Sequence, residues 1–176
     1  MITKIEYFDD SDALEQTEIF AYNSSSQLTS YTRLDHFDDN GDRETYVYNA
    51  NGTVTCTSYD GDLLSQDNFY GTSIIYFTNN EVSMIEEYSD IDILTGTRLY
   101  TYDTKNSPFK NIIGFDKIQF VENEALGIHH NIVTDNYTDF GVLTTYTTTY
   151  TYNDNNFPLT AVESGGDDIT TEYTYQ

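Results

Sequence analysis

Basic residues are scarce in this chain: 7 Lys and Arg stand against 30 Asp and Glu in 176 residues, a formal net charge of −23. Such a field repels phosphate backbones and anionic lipid, which argues against nucleic acid and membrane insertion. Cysteine is nearly absent. Cys56 is the only one, so no internal disulfide can form, and in the pattern Val54-Thr55-Cys56-Thr57 it reads as a buried, inert thiol. Tryptophan is missing altogether. No apolar run approaches the length of a membrane-spanning helix. Nothing carries the 3.6-residue period of a long amphipathic helix. There is no Gly-x-Ser-x-Gly elbow and no phosphate-binding glycine loop, and Cys56 has no predicted histidine neighbour, so nucleophilic catalysis finds no support.

What the chain does have is aromatic and β-branched residues. Aromatics make up 15% of it, 17 Tyr and 10 Phe, and Thr is abundant. These are strand formers, so the composition predicts an all-β protein. A disordered acidic chain would lack those aromatics. The length suits a single domain over 1–176 that buries about two-thirds of its unfolded surface.

A repeat of about 26 residues organises the chain, two short strands per unit. First strands open at Ile2, Leu28, Val54, Val82, Phe109 and Leu159, in steps of 26, 26, 28, 27 and 50 residues. A second apolar or β-branched residue follows three positions on, at Ile5, Tyr31, Thr57, Ile85, Ile112 and Val162. Residues i and i+3 of a flat strand face opposite sides, so either both faces are covered or a bulge turns both inward. The second strands carry pairs two apart: Phe20/Tyr22, Tyr46/Tyr48, Ile75/Phe77, Tyr100/Tyr102, Tyr150/Tyr152 and Tyr173/Tyr175. Each pair shares one face and predicts an aromatic ladder across neighbouring repeats. The other face changes from Ile19, Ala21, Val47, Ile74 and Leu99 to Thr145, Thr147, Thr149 and Thr151, which predicts a covered N-terminal half and a wet C-terminal one. Asn40-Gly41, Asn51-Gly52, Asp60-Gly61 and Gly165-Gly166 read as hairpin turns. The expectation is an antiparallel meander of about twelve strands in sequence order, a curved open sheet or a partly closed barrel.

At Tyr48-Asn49 and Tyr102-Asp103 the chain resembles the tyrosine–aspartate (YD, or Rhs-type) repeat proteins, and above all small YD-like secreted proteins and lipoproteins common in Bacteroidetes. The stretch Asn106 to Phe120, with Gly127 to Asn131, is similar to the insertion those proteins carry before their last repeat. The resemblance implies export, usually as a lipoprotein, and no known catalytic activity; Cys56 is too internal to carry a lipid. No signal-peptide pattern opens the chain, and Met1 stands one residue before the first repeat. The expected location is extracellular, periplasmic or outer-membrane-associated after removal of a leader, or cytoplasmic if Met1 is the native start.

The repeat breaks at about 106–141, and a break in a regular scaffold is where specificity is sought. Phe109, Lys110, Phe115, Lys117, Phe120 and His129 are the expected contacts of a surface protein or glycan partner. His129 and His130, beside Asp116, Glu122, Glu124 and Asp135, have metal-ligand chemistry, but adjacent strand residues point apart. The Asp-rich turns Asp9-Asp10-Ser11-Asp12, Asp38 to Asp42 and Asp167-Asp168 suggest calcium, yet His36 stands where a calcium loop would place its first Asp, so solvated turns are the better reading. No cofactor is expected. Glu86/Glu87 and Glu122/Glu124 are close carboxylates of the kind glycoside hydrolysis needs. The readings carried forward are a non-enzymatic exported module, monomeric or weakly oligomeric; a small carboxylate- or His-dependent hydrolase at the insertion; and an acidic binder of a basic partner.

Overall fold

The computed structural model describes residues 1–166 and 168–175; Asp167, of the expected Asp167-Asp168 turn, lies outside the described residues. Twelve strands form one antiparallel sheet in sequence order, with β1 and β12 as unpaired edges, so the sheet is open and not a closed barrel. They are β1 (Lys4–Phe8), β2 (Leu14–Tyr22), β3 (Leu28–Asp35), β4 (Asn40–Tyr48), β5 (Val54–Gly61), β6 (Asn68–Thr78), β7 (Glu81–Ser89), β8 (Leu94–Tyr102), β9 (Ile132–Asp139), β10 (Val142–Tyr152), β11 (Pro158–Ser164) and β12 (Ile169–Glu172). Two short 3-10 turns, Phe115–Lys117 and Val121–Asn123, lie between β8 and β9.

Bulges resolve the i, i+3 pattern. The register slips at the starts of β3, β7, β9 and β11, where Tyr22 pairs Leu28, Phe77 pairs Val82, Tyr102 pairs Ile132 and Tyr152 pairs Pro158. One residue is skipped each time, so Leu28 with Tyr31, and Val82 with Ile85, are buried together on the inner face. The start of β5 has no slip against β4, and Val54 with Cys56 achieve the same by ordinary alternation. The aromatic pairs do face inward, but not as a direct ladder. Each is separated from the next by an opening residue, as Tyr22 is from Tyr48 by Leu28. Hydroxyls then close the units: Tyr22 donates to the Ile2 carbonyl at 2.7 Å, Tyr102 to Val82 at 2.5 Å, Tyr150 to Ile132 at 2.9 Å and Tyr175 to Pro158 at 2.8 Å.

Four expectations are corrected. Phe109 opens no strand; it stands in a turn after Pro108, which cannot donate to a ladder. The fifth unit opens instead at Ile132, and the irregular segment is 103–131 rather than 106–141, because 132–139 is the regular strand β9. The N-terminal half of the outer face is uncovered: Ile19, Val47 and Leu99 are exposed. Finally, Asn40-Gly41 and Asp60-Gly61 occupy strand ends, and the first of these turns is made by the preceding residues, with Asp39 at φ 53°.

The segment 103–131 is a plug. Asp103 and Asn131 form its stem, the Asp103 N–H donating to the Asn131 carbonyl at 3.0 Å and the Asn131 N–H to Asp103 Oδ1 at 3.1 Å. The carboxylate also accepts the Tyr152 hydroxyl and the Lys105 N–H. Desolvation pushes the Asp103 carboxyl up, but these hydrogen bonds outweigh it and hold it below its ordinary value. Ile118 and Phe120 then enter the core, with the Phe120 ring 5.2 Å from Tyr46 and 5.8 Å from Phe77.

Candidate functional site

The tip of the plug shows how far the sheet curves. Glu122 accepts from Tyr31 at 3.1 Å and Arg33 at 2.8 Å on β3, while Glu124 accepts from Arg98 at 2.9 Å on β8. Two chain positions span about 7 Å. On a flat sheet β3 and β8 would be roughly 24 Å apart. The sheet therefore wraps round the plug, and the plug fills one half of the concave face.

The other half is open. A cavity of about 560 Å³ is lined by Phe69, Tyr70, Gly71, Glu87, Tyr88, Glu122, Asn123, Tyr137, Asp139 and Phe140 among others. A second, of about 540 Å³, is lined by Tyr31, Arg33, Asp42, Arg43, Glu44, Tyr59, Asp60, Tyr70 and residues 122–124 among others. Both share Ser58, Tyr70, Glu122 and Asn123, so they are two lobes of one groove floored by the plug tip. Local sequence explains the space. Gly71 pairs Ser58 and Gly96 lies between Glu87 and Asp139, so inward positions that hold large side chains elsewhere are small here. A Cβ on Gly71 would run into the Tyr88 carbonyl, and one on Gly96 into the Glu87 carboxylate.

Charge and strain concentrate at the tip. Glu122 and Asn123 both hold left-handed backbone, at φ 60° and 55°. Glu44, buried beneath them, accepts the Glu122 N–H at 3.0 Å and the Tyr46 hydroxyl. Desolvation pushes the Glu44 carboxyl up to about 7; these hydrogen bonds act against it, and the charges of Glu122 and Asp42 add to it. Glu87 is likewise raised by burial, against the opposing pull of Arg98. Arg98 stacks 4.6 Å from the centre of the Tyr137 ring. Asn123 Oδ1 is buried with no partner, in the wall common to both lobes. Eight carboxylates line the groove against Arg33 and Arg43. Such a lining is chemically suited to donors or positive charge, and its aromatic faces to apolar groups.

The residues singled out by sequence are scattered. Phe120 is core. Phe109 and Phe115 stack on each other at 5.2 Å, Lys110 reaches Asn106 at 2.6 Å and Lys117 pairs Asp116 at 2.8 Å, none of them lining the groove. His129 and His130 are held by their backbones, both N–H groups donating to Glu81 Oε1 at 2.8 Å, with the Ile128 N–H on Oε2 at 3.2 Å. Asp38 is exposed in a turn, and Asp42 is drawn 3.2 Å from Arg33. Among the described residues no group of three or more His, Cys, Asp or Glu is placed to hold a metal ion. Glu86 and Glu87 face opposite sides of β7, and Glu122 and Glu124 are bound by different arginines. Sequence reasoning missed Glu81, Asn123, Tyr70 and Phe140, and it named Glu87 only as half of a carboxylate pair with Glu86. Only Glu81 left a signal: it stands where other units place Gln27, Thr53 or Asn131, just before the opening residue.

No family model and no curated protein matches the chain. Among solved structures it is similar to a porin-like protein from Bacteroides vulgatus, with a TM-score of 0.51 and 10% identity over 94% of this chain and 90% of that one. A porin-like protein from Bacteroides uniformis aligns over 96% and 92% at 13% identity with a TM-score of 0.31. The first likeness supports the all-β fold, which the strand order makes an open meander.

Proposed function

We propose that this chain is a non-enzymatic, exported β-repeat module that holds a surface protein or glycan in the groove above the plug tip. The observation that carries the reading is the two-lobed groove itself, with aromatic walls, a strained floor and an unpartnered Asn123 oxygen. Export is supported by the porin-like description of the structural neighbour and by the YD-repeat resemblance. The outer face argues against lipid as its surroundings. A membrane barrel turns an apolar band outward, whereas this face intersperses Ile19, Val47, Leu99 and Leu143 with Thr45, Thr57, Thr72, Thr97, Thr138 and Thr147.

Calorimetric titration with chitohexaose, maltohexaose and a Lys-rich peptide tests the proposal. Saturable binding of one of these, lost in the Tyr70→Ala/Glu87→Gln variant, is the expected result. Weakening by salt marks a basic protein segment and indifference to salt a neutral glycan. No binding of any of the three, or equal binding by the variant, overturns the groove as the seat.

A further inference from the structure

The two long edges of the sheet differ in a pattern that extends well beyond the groove wall. Connections within units (β1–β2, β3–β4 and so on) all lie on one edge, and connections between units on the other. Every within-unit hairpin presents a large exposed apolar residue: Phe8 at 55%, Phe37 at 88%, Leu64 at 94%, Ile91 at 69%, Phe140 at 75% and Ile169 at 57%. The between-unit turns 23–27, 49–53, 79–80 and 153–157 are built of Asn, Asp154, Ser, Gln and small residues, and the one large apolar among them, Phe157, packs on Tyr175; on that edge, among the described residues, only the plug carries an exposed knob of this kind, Ile113. Exposed single apolar residues are unremarkable, but one per hairpin along a single rim is a pattern. Neighbouring hairpins are two strands apart, so the tips stand about 10 Å from one another along the arc.

Each tip is collared by aspartate. Phe8 precedes Asp9 and Asp10, Phe37 precedes Asp38 and Asp39, Ile91 lies between Asp90 and Asp92, and Phe140 follows Asp139. No Lys or Arg occurs in any of these hairpins, whereas Lys105, Lys110 and Lys117 all belong to the plug, which leaves from the opposite edge. Ordinary turns have no use for Phe, Leu or Ile at their tips. An apolar knob ringed by carboxylates fits a socket ringed by bases. It fits a bilayer poorly, because the aspartates would be desolvated along with the knobs.

We propose that this rim is a second interface, meeting the groove, among the described residues, only at Asp90, Asp139 and Phe140, which docks a protein whose apolar sockets are collared by Lys or Arg. The knobs supply contact area, and the aspartates set orientation and association rate. The probe is a synthetic amphipathic Leu/Lys peptide, with a Lys-only peptide of equal charge and phosphatidylcholine vesicles beside it. The expected result is that the Leu/Lys peptide binds the full chain more tightly than the Lys-only peptide. The Phe37→Ser/Leu64→Ser/Ile91→Ser variant should lose at least about tenfold in affinity, three buried side chains being worth more than one decade. Tyr70→Ala/Glu87→Gln should leave this binding unchanged, which separates the rim from the groove. Equal binding of the two peptides, an unchanged triple variant, vesicle binding in place of peptide binding, or self-association of the wild type through the rim would each overturn the proposal. All three knobs are solvent-exposed, and an unchanged melting temperature confirms that the variant is folded.

Discussion

The concave face is dry near the between-unit edge and wet near the hairpin tips, although the same strands run through both halves. In the dry half, inward positions are Leu28, Tyr31, Val54, Ile75, Val82 and Ile85, all buried under Ile118 and Phe120 of the plug. Along the same strands in the wet half, they are Asp35, Arg33, Asp60, Gly71, Glu87 and Ser89. The sheet alone cannot bury the first set, since a single curved sheet needs a second layer. The plug is that layer, and it ends at Glu122–Glu124, where the carboxylates begin. One element thus closes the core and floors the groove. Stability is concentrated on one side of the tip and the proposed recognition on the other.

Removing the plug's deepest side chain should break the comparison most severely. Phe120→Ala empties the space between Tyr46 and Phe77 and is expected to cost about 3–5 kcal/mol, roughly 10 °C of melting temperature at this size, measured by chemical and thermal denaturation. Glu81→Ala comes next. Three N–H groups lose a buried charged acceptor, a loss on the order of 3 kcal/mol, with faster hydrogen exchange at Ile128, His129 and His130 as its signature. A stable E81A protein with unchanged exchange there would deny Glu81 its role in holding the end of the plug.

Glu44, at the boundary of the two halves, makes the division pH-dependent. Its folded value of about 7 lies above an ordinary value near 4.5, so the native state holds the proton more tightly than the unfolded chain. The stabilisation is full below about pH 4.5 and is lost as the pH rises through 7, a change on the order of 3 kcal/mol. Glu18, Glu87 and Asp135, also raised by burial, act in the same direction. The melting temperature should therefore be higher at pH 5 than at pH 8, and Glu44→Gln should remove a large part of the difference. If E44Q leaves the slope as it was, the plug tip is not where the pH sensitivity resides.

The dry half was far more legible in the sequence than the wet one. Twelve strands, inward aromatic pairs and bulged openings all follow from patterns within a few residues of each other. Phe109 misled because it copies an opening at the right step of 27 residues, while the true one, Ile132, stands 50 residues after Val82. The course of the plug rests on contacts such as Glu122 with Glu44, 78 residues apart, and His129 with Glu81, 48 apart. The groove is harder still. Tyr70, Glu87 and Phe140 belong to three units, and only the curvature of the sheet brings them to one cavity.

Two small substitutions sharpen the contrast on the wet side. Gly71→Ala drives a Cβ against the Tyr88 carbonyl, a backbone atom that cannot step aside, and should cost about 1–3 kcal/mol. Its neighbour Tyr70 is 74% exposed and lines both lobes. Little apolar area is lost on its truncation, so Tyr70→Ala should change stability by no more than about 0.5 kcal/mol. Adjacent residues would then differ because Gly71 serves the sheet and Tyr70 serves the groove. A drop in melting temperature for Y70A as large as that for G71A would make the groove wall part of the core, and the division between the two halves would fail at the residue where it is narrowest.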